Sequence, residues 1–133
     1  MSSMDTEEVG RQIVDAAIHV HRALGPGLLE SAYQKCLAHE LERRGLVVMS
    51  EVPLPVIYDG MTIEVGYRLD LLVHDLVVVE NKAVESLLPI HEAQLLTYLK
   101  LSQKKLGFLL NWNVALMKNG IKRMVNHLRE AEQ

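Results

Sequence analysis

A single cysteine, Cys36, is all the chain contains. No internal disulfide can form, and its setting among Ala32, Leu37 and Leu41 suits a small core hydrophobe better than a nucleophile or a ligand. No apolar run approaches the ~20 residues that span a bilayer. The acidic start, Met1 to Glu8, lacks the basic and apolar segments of a secretory signal, so a cytoplasmic location without a membrane partner is expected. The histidines offer no pair of HxxxH spacing, and His19 and His21 point to different helix faces, which argues against zinc. Positive charge is not in excess either. With 14 Lys and Arg against 17 Asp and Glu, the formal charge is -3, which gives no electrostatic case for a tight nucleic-acid binder. Basic residues gather at Lys100, Lys104 and Lys105 and at Lys118, Lys122, Arg123 and Arg129, and read as solvated surface. A site rich in carboxylates escapes this exclusion, because bound cations reverse the local sign.

What is present fits one α/β domain over residues 1–133, large enough for a core without staples. No repeat, linker or low-complexity segment interrupts it. Asp5 with Glu8 resembles a capping box, and Val9, Ile13, Ala16, Ala17, Val20 and Leu24 recur at helical spacing, predicting a helix over Thr6 to Ala23 that Gly25-Pro26-Gly27 ends. A second helix runs from about Leu28 to Gly45, with Arg43 and Arg44 in its last turn. Asp59-Gly60 predicts a hairpin between Leu54–Tyr58 and Met61–Val65, and Pro53 and Pro55 suit a sheet edge. Tyr67 to Val73 and Leu76 to Lys82 are strands about His74-Asp75, the run Leu76 to Val79 being apolar enough for the sheet centre. Pro89 opens a helix with Ala93, Leu96 and Leu99 among its buried positions, and a strand over Leu106 to Leu110 completes a βαβ crossover. Asn119-Gly120 predicts a turn pairing Val114–Met117 with Ile121–Val125, followed by a polar tail.

Three pieces of this pattern carry chemistry. Asp70 lies near the end of one strand and Glu80 at the end of the next, where an unpaired buried carboxylate is costly and a divalent cation relieves the cost. Lys82, two residues on, leaves the strand on the same face as Glu80. Gln94 and Tyr98 stand four apart, so both project from one helix face, and His91 lies one turn before Gln94. Together they read as a metal-dependent phosphodiester-cleaving site.

Gly27-Leu28-Leu29-Glu30-Ser31-Ala32-Tyr33 spells GxxExxY. With Gly25-Pro26-Gly27, Tyr67-Arg68-Leu69-Asp70, Glu80-Asn81-Lys82-Ala83-Val84, Gln94 to Leu99 and Asn111-Trp112-Asn113, the chain resembles the small bacterial and archaeal family named for that motif, a branch of the PD-(D/E)xK nuclease superfamily. Gln94…Tyr98 is similar to the Q-x3-Y helix of the RecB-like branch. The chain departs from the pattern in having Asn81 at the variable position and Trp112 where phenylalanine is more familiar. The resemblance implies a restriction-endonuclease-like core: a mixed central β-sheet flanked by α-helices, with two helices at the N-terminus.

The resemblance also implies roles. Glu30, which by position alone fits a helix-dipole residue equally well, becomes a metal ligand with Asp70, Glu80 and the Asn81 carbonyl. Such hard oxygen donors suit Mg²⁺ or Mn²⁺. Lys82 either accepts a proton from water or stabilises the pentacovalent transition state. Gln94 completes the catalytic group, and Tyr98, Tyr33 and His91 are candidate substrate contacts, although Tyr33 fits a core aromatic with a tethered hydroxyl better. The expected activity is phosphodiester hydrolysis on nucleic acid, DNA in the first instance, with a homodimer left open. The alternative is a catalytically silent nucleic-acid-binding or protein-interaction module on the same fold.

Overall fold

A computed structural model describes residues 4–127. Arg129 and the polar tail lie outside them. Helix α1 (Thr6–Leu24) starts where the Asp5 carboxylate accepts the Glu8 N–H at 2.8 Å and stops at Gly25, whose φ of 71° ends the helical path. Helix α2 (Glu30–Arg43) follows the Gly25-Pro26-Gly27 turn. Strand β1 (Val48–Pro53) is next, then the hairpin β2 (Val56–Tyr58) and β3 (Met61–Ile63), β4 (Arg68–Val73), β5 (Val77–Lys82), helix α3 (Pro89–Ser102), β6 (Leu106–Asn111), a 3₁₀ turn at Met117–Gly120 and β7 (Ile121–Val125).

Five strands form one mixed sheet in the order β1-β4-β5-β6-β7, with β5 and β6 parallel across α3 and the other pairs antiparallel. β5 is almost wholly buried, as its Val-Val-Val run predicts, and its side chains alternate between two cores. Val77 and Val79 pack with Val9, Ile13, Ala17, Leu37 and Leu41 beneath α1 and α2. Val78 packs with Leu95 and Leu99 of α3. The hairpin β2–β3 is a separate small sheet whose Ile57, Tyr58 and Met61 stand exposed. β1, ending at Pro53, is the edge that the prolines suggested.

Three sequence expectations differ from the structure. Val114–Met117 is not a strand; β7 pairs with β6 from Leu106↔Val125 to Leu110↔Ile121, and the Asn119-Gly120 dipeptide lies in the 3₁₀ turn. Glycine is required there for closeness, since a Cβ on Gly120 would stand 2.1 Å from the Asn111 carbonyl oxygen. In α3 the buried pair is Leu95 and Leu99, with Ala93 exposed and Leu96 half-buried. Both leucines lie over Gly107, where the missing side chain lets the helix settle onto the sheet. Cys36 is half-buried at the margin of the α1–α2 core.

Three of the clustered basic residues are paired: Lys104 with Asp75 at 3.1 Å, Lys122 with Glu92 at 3.7 Å and Arg123 with Glu7 at 2.8 Å. α1 and α2 are braced by Glu40, whose carboxylate accepts from Arg44 at 2.8 Å and Arg43 at 3.3 Å, while Arg44 reaches Asp15 at 2.6 Å. The hydrogen bonds from Arg44 and Arg43 hold the Glu40 carboxyl down to about 2. A depressed carboxyl stabilises the fold above its ordinary 4.5 and loses that contribution as pH falls through about 2. Glu40→Gln is therefore expected to cost roughly 1–3 kcal/mol near neutral pH, and the gap between variant and parent in denaturant titrations should close steadily below pH 4.5.

Candidate active site

The ladder between β4 and β5 runs Val73↔Val77, Leu72↔Val78, Leu71↔Val79, and there it stops. The next facing residues in that register are Asp70 and Glu80. Where a main-chain pair would follow, the side chains take over: Glu80 Oε2 accepts the Asp70 N–H at 2.8 Å, and Asp70 Oδ2 accepts the Asn81 N–H at 2.8 Å. Each carboxylate thus satisfies an amide that the diverging strands leave open.

The divergence has a local cause. Leu71 and Val73 belong to the core under α1 and α2, yet Leu69 belongs to the core under α3, so the alternation of faces breaks at Asp70. The neighbouring edge strand breaks at the same level. Val48 packs with the first core and Val52 with the second, and between them Glu51 has φ of 54°, a left-handed conformation costly for a non-glycine residue. In the β1–β4 register Ser50↔Leu71 and Val52↔Leu69 flank Glu51, which therefore faces Asp70. The sheet edge at this point is open to helices on both sides.

Burial sets the electrostatics. Glu80 is pushed up to about 8, first by desolvation and then by the Asp70 charge, against the opposing Asp70 N–H bond and Lys82 ammonium. Asp70 is also raised, by desolvation first and then by the charges of Glu30 and Glu51, while the Asn81 N–H and Lys82 oppose the rise. Lys82 is half-buried beyond Glu80. Two facing carboxylates that both stay raised beside the Lys82 ammonium favour a shared proton or a bound cation.

Helix α2 approaches from one side. Glu30 is exposed at its first turn, close enough for its charge to act on Asp70. Among the described residues no three His, Cys, Asp or Glu side chains stand grouped as a ready-made metal site. Gln34, one turn further, donates to Glu51 Oε1 at 3.0 Å and to the Asp70 carbonyl at 3.3 Å. Sequence reasoning missed Gln34 and Glu51. The spacing of Glu30 and Gln34 is the helical signal that could have found the first, whereas Glu51 needs the β1–β4 register.

Helix α3 approaches from the other side. Tyr98 is raised by burial and then by the charges of Glu80, Tyr67 and Asp70, which places its hydroxyl near the pair. Tyr98 and Tyr67, their rings 6.0 Å apart, line a cavity of about 390 Å³ with Val56, Thr97 and the exposed Gln94. His91 has a different role from the expected one: its Nδ1 accepts the Leu88 N–H at 3.0 Å and caps the helix start. Tyr33 likewise is not at the substrate surface. It is fully buried, its hydroxyl donating to the Gly25 carbonyl at 2.5 Å and accepting the Leu28 N–H at 3.1 Å.

Asn111-Trp112-Asn113 secures the far end of β5. The Asn111 amide bonds both main-chain groups of Val84, at 3.1 and 2.9 Å, and so fixes the segment that follows Lys82. Trp112 donates its main-chain N–H to the Lys82 carbonyl and its Nε1–H to Asn81 Oδ1, each at 2.9 Å. Asn81 Nδ2 is buried without a partner among the described residues, which costs about 1–3 kcal/mol.

A family model described as the PD-(D/E)XK nuclease superfamily matches residues 7–124, and the chain belongs to that superfamily. The five-stranded mixed sheet between helices is its restriction-endonuclease-like fold. No curated protein and no solved structure gives a significant match. No helix among the described residues is long and apolar enough to cross a membrane.

The raised Glu80 makes a prediction for the metal-free protein. A carboxyl raised from 4.5 to about 8 leaves the fold unpenalised below 4.5 and costs stability progressively as pH climbs through 8. Glu80→Gln keeps an oxygen for the Asp70 N–H and removes the charge. In the presence of a chelator its melting temperature should exceed that of the parent at pH 8.5 by several degrees and match it at pH 4; an equal offset at both would show that Glu80 is not held protonated.

Proposed function

We propose that this chain is a divalent-metal-dependent nuclease of the GxxExxY branch, with DNA as the substrate class. One observation carries the reading: two carboxylates, the half-buried Asp70 and the buried Glu80, face each other at a splayed strand edge with Lys82 beside them. The donor set fits Mg²⁺ or Mn²⁺, because such ions bind through one or two carboxylates and keep most of their waters. Asp70, Glu80 and the main-chain carbonyl of Asn81 would hold it, the carbonyl leaving the strand on the edge from which the Asn81 N–H reaches Asp70. Glu30, whose charge acts on Asp70, would join them as a ligand from the start of α2. A bound cation supplies charge for the scissile phosphate and an acidified water.

The chain's own residues do the rest. The Lys82 ammonium, on the Glu80 face, neutralises charge that builds on the phosphate oxygens. Gln94 and Tyr98 orient the substrate from α3. The cavity between Tyr67 and Tyr98 offers ring faces to a base or sugar next to the reacting phosphate. The alternative, a silent nucleic-acid-binding or protein-interaction module, is favoured by the formal charge of -3, which gives no general electrostatic draw for a polyanionic substrate.

Calorimetry with Mn²⁺ and single-turnover cleavage of single- and double-stranded DNA separate the two. Asp70→Ala should abolish metal binding without loss of fold, since it relieves the repulsion on Glu80. Lys82→Ala should retain metal and lose cleavage by about 10² or more, and Lys82→Arg should not restore it, a planar guanidinium being a poor stand-in for a compact ammonium. Metal binding by the parent without cleavage of DNA or RNA would favour the silent module.

A further inference from the structure

Behind the carboxylate pair, on the α2 side of the sheet, three buried residues touch in sequence without contacting the place where substrate would lie. The Tyr33 hydroxyl ties the Gly25 carbonyl to the Leu28 N–H and so closes the turn from which α2 starts. Its ring lies flat on Trp112, centroids 4.8 Å apart and planes within 5°. Trp112 Nε1 donates to Asn81 Oδ1 at 2.9 Å, and the Asn81 main-chain N–H donates to the Asp70 carboxylate at 2.8 Å. Tyr33, Trp112 and Asn81 are each fully buried. At one end of the chain of contacts is the helix start that carries Glu30; at the other is the strand edge that carries Asp70 and Glu80.

We propose that Tyr33 and Trp112 are positioning residues, which hold the Glu30 helix start and the Asp70–Glu80 strand edge at a fixed separation. Several features favour this over ordinary core packing. An aromatic pair filling a core needs no hydroxyl or indole N–H, yet both are used, and both on groups that lead to the site. The tyrosine hydroxyl satisfies two main-chain groups of one turn. The Asn81 amide, half-satisfied in a core, is tolerated where an aliphatic side chain would pack at no such cost. Trp112 therefore acts through Asn81 on Asp70, and Tyr33 acts through the turn on Glu30. Partners one step behind metal ligands commonly control affinity by about 10-fold or more, because they fix the ligand's orientation.

The inference rests on the reading of Asp70 and Glu80 as the metal pair, and the test separates the two. Mn²⁺ affinity is measured by calorimetry on the parent, Tyr33→Phe, Trp112→Phe, Glu30→Gln and the two double variants that combine Glu30→Gln with each aromatic change, with thermal unfolding of each. Tyr33→Phe keeps the ring and its stacking while removing the hydroxyl bonds. It should lower affinity about 10-fold in the parent and leave it within a factor of about 2 in the Glu30→Gln background, because the residue it positions is then absent. Trp112→Phe keeps an aromatic ring but removes the indole N–H with its five-membered ring, and its loss of affinity should persist in the Glu30→Gln background, since it reaches Asp70 by another route. Equal losses from Tyr33→Phe in both backgrounds, or none in either, overturn the role given to Tyr33; an unchanged affinity in Trp112→Phe overturns that given to Trp112. If Tyr33→Phe fails to fold, the Trp112→Phe comparison decides. Absence of Mn²⁺ binding by the parent overturns the metal pair and this inference with it.

Discussion

The exchange of amides between Asp70 and Glu80 is the interaction on which the site depends. Two strands that had paired by main chain up to Leu71↔Val79 hand their next bonds to side chains, and the carboxylates are thereby fixed opposite one another. The arrangement satisfies the backbone at the expense of the charges. Both carboxyls are raised, Glu80 to about 8, because burial and mutual repulsion outweigh the two amide bonds and the nearby ammonium. The site is thus poised to take up positive charge.

The surrounding scaffold keeps this from relaxing. β5 is held on one side by β4 and on the other by six residues of parallel pairing with β6, from Val77↔Leu106 to Lys82↔Asn111. Asn111 clamps Val84 beyond it, and α3 is drawn against the sheet over Gly107. On the opposite face, Arg44, steadied by Glu40, bonds Asp15 and ties the end of α2 to α1, the pair of helices that packs on the sheet and presents Glu30 and Gln34. The interior is close-packed where the site must be rigid, while Ile57, Tyr58, Met61 and Ile63 of the β2–β3 hairpin stand exposed.

Much of this was legible in the sequence because it is local. Helical spacing in α1, the continuous valines of β5 and the interval from Asp70 to Glu80 and Lys82 each follow from periodicity or strand alternation. The failures share a tertiary cause. Glu51 comes to face Asp70 only through the pairing of β1 with β4, and its left-handed φ leaves no mark in a chain read residue by residue. The Asn119-Gly120 dipeptide is a hairpin signal, yet the strand that follows found a better partner in β6, and the glycine serves a close approach to Asn111. His91 reads as a site residue from its helical face, whereas its Nδ1 caps the helix start; Tyr33 is the core aromatic with a tethered hydroxyl that the sequence favoured. Asn81 and Trp112, far apart in the chain, are hydrogen-bonded to each other, a relation that no spacing rule contains.

The most direct measurement is the proton count on metal binding, obtained by titrating the chain with Mn²⁺ at pH 7 in buffers of different ionisation enthalpy. A carboxyl held near 8 must give up its proton to become a ligand, so binding is predicted to release about one proton, and to release none in Glu80→Gln. Binding without proton release, or no binding at all, would contradict the account.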